Sequence, residues 1–252
     1  MAKIHEGPVF LQKDEHIYIH RKTGKKYTSV TKVLSSIEEH FDSEAVATAI
    51  ARQSDSKKKE KYIGLTKDDI LLEWKRINDE ANEYGTKIHE TIEKYILNKW
   101  YRPKDELEAK VIKAYKDFKV DEGIEMYPER IMFSEEYELA GTSDLIIDID
   151  DEWFDCGDWK SNREFNFYSN FKKTLKYPFQ HLQDCQYSIY SLQLSVYCLM
   201  YEKETGKKCR QIWIGYWDRL KETLIRIPII YLRHEAQMLL DYFKNLKKEE
   251  IL

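Results

Sequence analysis

Two aspartates and a lysine in the middle of the chain have a spacing that suits phosphodiester chemistry. They fall in the segment 141–160, in which two runs of strand-forming residues flank an acidic turn at 150–152. If the two runs pair as an antiparallel hairpin around that turn, Asp144 lies opposite Asp158 with Cβ atoms about 5 Å apart. Lys160 is two residues beyond Asp158, so its side chain leaves the same face of the strand.

These three side chains have the chemical properties of a metal-dependent phosphodiesterase centre. Facing carboxylates repel each other, and a divalent cation removes that cost because hard cations prefer oxygen ligands. The ammonium group of Lys160 could polarise an attacking water or stabilise the charge that develops on phosphorus. The alternative is a surface hairpin with solvated charges, since this stretch contains many other acids and a single Asp-x-Lys motif often occurs by chance. The spacing alone leaves both interpretations open.

Two further pairs of residues have helical spacing and could complete such a site. His89 and Glu93 are four residues apart, and His89 could supply a nitrogen ligand to a metal. Gln193 and Tyr197 are also four apart and could hydrogen-bond a phosphate or hold an active-site carboxylate. Taken singly, each pair is more typical of ordinary helix packing. Their significance depends on whether they meet the two aspartates in space.

The segment 161–180 combines cations with aromatic rings. Against a single acid, Glu164, it carries four cations, which are Arg163, Lys172, Lys173 and Lys176. The rings interleaved with them are Phe165, Phe167, Tyr168, Phe171, Tyr177 and Phe179. Cations that hold phosphates beside rings that stack on bases are typical of proteins that bind single strands without reading their sequence. The alternative is a loop whose rings pack on the core.

The composition excludes several classes of protein. The formal net charge of −4 gives no overall attraction to nucleic acid, so contact with DNA must come from local basic patches. The four cysteines, which are Cys156, Cys185, Cys198 and Cys209, form no Cys-x-x-Cys pair, and this argues against a zinc ribbon. The N-terminal stretch has no apolar signal-peptide core, and no apolar run is long enough to span a bilayer. We therefore expect a soluble cytoplasmic protein with reduced thiols.

The elements that must position these residues suggest a single α/β (α+β) domain over residues 1–252. We expect a helical region over about 35–125 and a catalytic core over about 127–230, with a central mixed sheet flanked by helices. Strands are expected near 15–20, 129–138, 143–149, 153–160, 210–218 and 222–229, and the stretch 27–34 as a strand that continues into a helix. Helices are expected from about 43 to the basic run 57–61, from an N-cap at Thr66 to a break at Gly85, and over about 105–122, 184–205 and 232 onwards.

Five motifs in this order resemble the RecB-like, or Cas4-like, branch of the PD-(D/E)XK nucleases. That branch includes the nuclease domain of RecB and the mitochondrial genome maintenance exonuclease. The motifs are YTSVTKVL (27–34), GTKIHETIE (85–93), LAGTSDLIID (139–148), DWK (158–160) and QLSVY (193–197). Each is weakly specific alone, whereas the five in order are strongly specific. The resemblance covers about residues 27–217 and implies a restriction-endonuclease-like core, a mixed four-stranded sheet flanked by helices.

The resemblance also implies a role for each matching residue. The implied metal ligands are His89, Asp144, Asp158 and the main-chain carbonyl of Trp159, and the implied catalytic residue beside the two aspartates is Lys160. Gln193 and Tyr197 match the QxxxY motif of the family. The bound metal is expected to be Mg²⁺ or Mn²⁺. Cas4 relatives often hold an iron–sulfur cluster with one early and three late cysteines, but the first cysteine here is Cys156, so we expect no such cluster.

The sequence therefore predicts an Mg²⁺- or Mn²⁺-dependent deoxyribonuclease, an exonuclease of DNA replication, recombination or repair. Its expected substrates are single strands or duplex ends, and its expected partners are replication or recombination proteins. A compact chain without a helicase region resembles a phage or mobile-element nuclease, in a bacterium or an infected host cell. The alternatives are a structure-selective endonuclease of the same fold and a catalytically silent nucleic-acid-binding protein. The intact Asp144, Asp158 and Lys160 argue against the silent protein.

Overall fold

The computed structural model describes residues 2–13, 15–39, 41–54, 57–121, 123–170 and 172–249. Within these ranges the chain forms eight strands, which are β1 Val9–Gln12, β2 Ile17–His20, β3 Lys26–Ser29, β4 Glu125–Ser134, β5 Leu139–Asp148, β6 Trp153–Lys160, β7 Lys208–Asp218 and β8 Thr223–Ile229. The α-helices in the same ranges are α1 Val30–Ile37, α2 Ser43–Arg52, α3 Lys67–Leu97, α4 Glu106–Phe118, α5 Gln186–Thr205 and α6 Arg233–Glu249. Among the described residues, no helix combines the length and the apolar character needed to cross a membrane.

The eight strands belong to one mixed sheet. Its order is β1-β2-β3-β5-β6-β7-β8, and β4 pairs with β5 off this path. β3 runs parallel to β5 and β6 runs parallel to β7, whereas the other pairs are antiparallel. Helices flank this sheet, so the predicted fold class is confirmed. The sheet has eight strands within the described ranges, whereas the resemblance implied a core of four, and the short strands β1, β2 and β3 extend it at one end.

The sheet divides along β5. One edge of β5 pairs with β4 over Leu139–Asp148. On the opposite edge, β3 pairs with residues 139–140 and β6 pairs with residues 145–148. Residues 141–144 therefore lie where β3 and β6 separate. Asp144 occupies the end of this gap next to β6.

Apolar side chains cover both faces of the sheet. On one face lies α5, whose residues 191–201 are all buried because this helix is covered on every side. α1 and α6 pack beside it. On the other face, the C-terminal half of α3 and α4 pack against the sheet through a cluster that includes Ile88, Ile92, Trp159 and Trp213. Burial on both faces fixes the sheet as a rigid platform for the residues at the division of β5.

The prediction that Gly85 breaks a helix is wrong. α3 is one continuous helix of 31 residues from Lys67 to Leu97, and Gly85 lies inside it. Its N-terminus is the predicted one, because the Thr66 hydroxyl accepts a hydrogen bond from the Asp69 N–H in a capping box. A glycine inside a helix costs about 1 kcal/mol relative to alanine, so tertiary packing has overridden the local preference here.

Several predicted boundaries are also wrong. α2 ends at Arg52 and does not continue into the basic run 57–61. The strand predicted at 129–138 instead spans Glu125–Ser134, four residues earlier. β1 was not predicted, since its residues VFLQ form a short apolar run without alternation of apolar and polar side chains.

Candidate active site

Asp144 and Asp158 lie on adjacent strands in the register expected for a hairpin with a three-residue turn. Leu145 pairs with Gly157, so continuing the register places Asp144 opposite Asp158. The backbone N–H of Trp159 donates a hydrogen bond of 2.6 Å to Asp144 Oδ2. This bond holds the Asp144 carboxylate against β6, beside Asp158.

Glu129 is a third carboxylate at this place, and it was not identified from the sequence. The pairs that Pro128 and Arg130 make with β5 set Glu129 opposite Asp144, on the side away from β6. Its backbone φ of 51° is a left-handed value that is uncommon for a residue with a Cβ atom, and such strain is found at functional sites. Counting residue pairs back from the turn at 135–138 also sets Glu129 opposite Asp144. A correct prediction of the end of β4 would therefore have identified Glu129 from the sequence.

His89 reaches the carboxylates from α3. Its neighbours Ile88 and Ile92 are buried, and they orient this part of the helix against the sheet. His89 Nδ1 lies 3.2 Å from Asp144 Oδ2. One ligand atom from each of His89, Glu129 and Asp144 lies within 4.8 Å of the other two, so this group could hold a metal ion.

Lys160 lies beside the same carboxylates. Its Nζ is 2.5 Å from Asp158 Oδ2 and 4.7 Å from the centre of the Tyr190 ring. Burial opposes the ammonium charge, but Asp158 and Asp144 outweigh this effect and raise the pKa of Lys160. The side chain therefore stays protonated near neutral pH. Asn162 Nδ2 donates to the Tyr190 hydroxyl at 2.9 Å and holds the ring in place.

The two facing aspartates differ in their affinity for a proton. Burial, and then the charge of Asp144, raise the pKa of Asp158. Burial also acts on Asp144, but His89, Lys160 and the Trp159 N–H favour its charged form and lower its pKa. Asp144 is therefore the carboxylate that stays ionised, and Asp158 is the one that resists ionisation.

Two features of the site fit a divalent cation with oxygen ligands. The cavity walls desolvate the carboxyl of Glu129, and Asp144 and Glu93 repel its charge, so its pKa is raised although solvent reaches part of the side chain. Asp158 Oδ2 is buried and, within the described ranges, accepts no hydrogen bond of acceptable geometry despite its ion pair with Lys160. A cation among these carboxylates would relieve the repulsion and supply a partner for that oxygen.

A cavity of about 1050 Å³ opens the site to solvent, and we call it the main cavity. Its lining includes His89, Glu129, Asp144 and Lys160, whereas Asp158 is buried and does not line it. A phosphate group that enters the main cavity can therefore approach the Lys160 ammonium, with Asp158 holding that ammonium from the protein side.

Arg219 also lines the main cavity and was not identified from the sequence. Its guanidinium donates hydrogen bonds of 3.1 and 2.8 Å to the carbonyl oxygen of Ser161. The same group lies 4.1 Å from the centre of the Tyr84 ring. These contacts hold the positive charge of Arg219 on the wall of the main cavity. Ser161 directly follows Lys160 in the chain, so this charge lies close to the backbone that carries Lys160.

The two residues of the predicted QxxxY motif form a hydrogen bond with each other. Gln193 Nε2 donates a hydrogen bond of 3.0 Å to the Tyr197 hydroxyl. Tyr197 is 2% exposed and packs against Gly141, in the gap between β3 and β6, at a distance that leaves no room for a Cβ atom. It does not line the main cavity, whereas Gln193 lines a second cavity of about 470 Å³.

The four cations of the segment 161–180 are not brought together. Arg163 lines the main cavity, and Lys173 lines the second cavity. Lys172 and Lys176 are exposed and line neither of these two cavities. Among the rings, Phe179 is fully buried in the core, and Phe171 lies outside the described residues.

No protein-family model matches the chain, and no curated protein matches it by sequence. Among solved structures, a similar chain is one from Eubacterium rectale that bears the name "Putative exonuclease". The two chains are 16% identical, the match covers 66% of this chain and 67% of that chain, and the TM-score is 0.40. A TM-score of this size does not assign a fold family. Any proposal for the function must therefore rest on the geometry of the site.

Proposed function

We propose that this protein is a divalent-metal-dependent deoxyribonuclease that hydrolyses phosphodiester bonds. The observation that carries the proposal is the meeting of Asp144, Asp158 and Lys160 with His89 and Glu129 at the division of the sheet. These residues come from four different elements. Carboxylates that can hold a divalent cation beside a protonated lysine would place positive charge where the negative phosphodiester binds.

The residues that would hold the metal are Asp144, Asp158 and His89, with the Trp159 carbonyl as a further ligand. Glu129 joins them, since it lies opposite Asp144 and within reach of the same ion. We take the ion to be Mg²⁺ or Mn²⁺, because carboxylate oxygens predominate in the set. The ion supplies Lewis-acid stabilisation of the charge on the phosphate.

Lys160 has two tasks in this proposal. As a protonated donor it can hold the attacking water by a hydrogen bond, and it can stabilise the negative charge that grows on the phosphate oxygens. Asp158 keeps the ammonium in position at 2.5 Å. In the reaction, a bond forms between the water oxygen and phosphorus while one ester bond of the phosphate breaks; the water gives up a proton to solvent and the leaving oxygen takes one up, so the products are a phosphomonoester and a hydroxyl group.

We further propose that the enzyme is an exonuclease of the RecB-like branch, acting in replication, recombination or repair, in a bacterial or phage-infected cell. The five motifs in their order support this assignment. We expect no iron–sulfur cluster. A structure-selective endonuclease would use the same site, so the form of the substrate must separate the two activities.

The test is a cleavage assay with end-labelled linear DNA and circular DNA, each in Mg²⁺, Mn²⁺ or EDTA. The expected result is metal-dependent degradation of linear DNA with circular DNA left intact. Asp144→Asn, Asp158→Asn and Lys160→Ala should each reduce cleavage by at least about a hundred-fold, the scale of losing one group that stabilises the transition state. Asp151→Asn is the matched control, since Asp151 is an exposed acid in the turn of the same hairpin. Wild-type activity in any of the three folded variants would contradict the site.

A further inference from the structure

The second cavity has the size and composition of a site for a small molecule. It lies between α1, the segment 161–180 and the first turns of α5, and its volume of about 470 Å³ falls within the usual range for ligand sites. Its lining includes the apolar side chains Leu34 and Ile189. Polar groups with both donors and acceptors, among them Thr31 and Ser35, surround these side chains.

The second cavity adjoins the candidate active site. The Tyr190 ring lines it, and Lys160 of the main cavity lies 4.7 Å from the centre of that ring. Asn166 and Gln186 line both cavities, and the Asn166 N–H donates a hydrogen bond of 2.8 Å to Gln186 Oε1. A ligand that extends from one cavity to the other therefore crosses this fixed boundary beside Lys160.

The charges in the second cavity discriminate between the two halves of a nucleotide. Glu38 and Asp184 present carboxylates to it, and these repel a phosphate but accept hydrogen bonds from the amino groups of a base. Lys173 is an exposed cation on the lining, and Lys160 lies beyond Tyr190. A nucleotide would therefore place its base inside the second cavity and its phosphate outside, towards a lysine.

We propose that the second cavity receives one unpaired nucleobase of the substrate strand while the neighbouring phosphate lies at Lys160. The choice of a nucleic acid rests on the proposed nuclease function, and the geometry adds the requirement that the base be unpaired. A base within a duplex is covered by its partner and cannot enter a cavity of this size. Tyr190 and Tyr168 line the cavity, so their rings are available to stack on the base, and Tyr168 is 73% exposed.

The test fills the second cavity without altering the active site. Ser35→Trp places a large ring in it from α1, and Ser35 is exposed, so no core contact is lost. Ser36→Trp is the matched control, because the exposed Ser36 is on the same helix but does not line the cavity. Binding of a fluorescent single-stranded oligonucleotide is measured in EDTA, in which no cleavage takes place.

Ser35→Trp should weaken single-strand binding about ten-fold, within the range of one lost stacked base, while Ser36→Trp binds as the wild type does. Binding of a blunt duplex should be the same for all three proteins. If Ser35→Trp fails to fold, Tyr168→Ala replaces it, since removing an exposed ring leaves the core intact, and it should weaken single-strand binding several-fold. Wild-type single-strand affinity in a folded Ser35→Trp or Tyr168→Ala variant overturns the proposal.

The same proteins distinguish failure of the cavity from failure of the nuclease. If the wild type cleaves single strands in Mg²⁺ or Mn²⁺ and Ser35→Trp binds and cleaves them equally well, the second cavity takes no base and the nuclease function stands. If Ser35→Trp loses binding but the wild type cleaves no DNA in either metal, the cavity binds a base and the nuclease function is wrong. If the wild type binds no single strand, the proposal for the second cavity is wrong.

Discussion

Gly85 of α3 lies against Ser161, so close that a Cβ atom added at Gly85 would stand 2.9 Å from Ser161 Oγ. This contact brings the middle of a long helix onto the residue that follows Lys160. Ser161 is also held from the other side, because its carbonyl oxygen accepts two hydrogen bonds from Arg219. The position of Lys160 is thus determined partly by a glycine far away in the sequence.

Substitutions at Gly85 should separate helix stability from site geometry. Gly85→Ala gains helix propensity of about 1 kcal/mol but must displace the Ser161 hydroxyl, so little net change in the free energy of unfolding is expected. Adding Ser161→Ala removes the clash, and the double variant should be about 1 kcal/mol more stable than the wild type in urea denaturation. The larger side chain in Gly85→Leu cannot be accommodated by moving the Ser161 hydroxyl alone. This variant should remain folded but cleave DNA more slowly than the wild type. A fully active Gly85→Leu variant would show that this contact does not position Lys160.

Glu129→Gln tests the third carboxylate. If Glu129 contributes to the metal site, its loss should weaken Mn²⁺ binding measured by calorimetry. Burial and Asp144 raise the pKa of Glu129 to about 8, so the metal-free melting temperature should rise in Glu129→Gln only above that pH, where Asp144 and Glu93 no longer face another negative charge. Glu135→Gln, a change to an exposed acid in the β4–β5 turn, is the control and should leave both quantities unchanged. Unchanged Mn²⁺ affinity in Glu129→Gln would exclude Glu129 as a ligand.

The metal-free protein should lose stability as the pH rises from about 4 to about 7. Burial and Asp144 raise the pKa of Asp158 from 3.8 to about 6, so the folded state holds its proton more tightly than the unfolded state does. Stability from this group is therefore greatest at low pH and falls as Asp158 ionises, by on the order of 3 kcal/mol. His89 acts in the same direction but only above about pH 6.5, its ordinary pKa, because its pKa is also raised in the folded state: burial opposes the rise, but Asp144 outweighs it.

Urea denaturation in EDTA across this pH range measures the effect. Asp158→Asn is the comparison, since it removes the titrating group and should give a flatter dependence of stability on pH. Saturating Mn²⁺ should reverse the trend in the wild type, because the metal binds the ionised carboxylates and competes with protons. Equal pH slopes for the wild type and Asp158→Asn in EDTA would mean that Asp158 is not the group responsible.

The lysines of the segment 161–180 should differ in their effect on DNA binding. Lys173 lines the second cavity, whereas Lys176 lines neither cavity, although both are exposed. Lys173→Ala should therefore weaken single-strand binding and reduce the slope of log affinity against log salt by roughly 0.7, the value for one phosphate contact. Lys176→Ala should leave that slope near the wild-type value. The idea fails if the two variants show the same slope in a titration by fluorescence anisotropy.

Much of the site could be predicted from the sequence because its parts lie close together in the chain. A turn of three residues sets the register of β5 and β6, and this register alone places Asp144 opposite Asp158, with Lys160 on the same face as Asp158. The helical spacing around His89 likewise predicted an amphipathic helix, although it could not show that this helix reaches Asp144.

Only the tertiary structure decided which distant residues join this hairpin. Glu129 could not be placed from the sequence, because a shift of a few residues in the boundary of β4 changes which side chain faces Asp144. Local preference predicted a break at Gly85, but packing of α3 on the sheet and against Ser161 outweighed the roughly 1 kcal/mol cost of a helical glycine. The second cavity also could not be predicted from the sequence, since its walls come from α1, α5 and the segment between β6 and α5. Sequence fixes what each short stretch prefers, and the packing of these stretches around one core decides which side chains share a cavity.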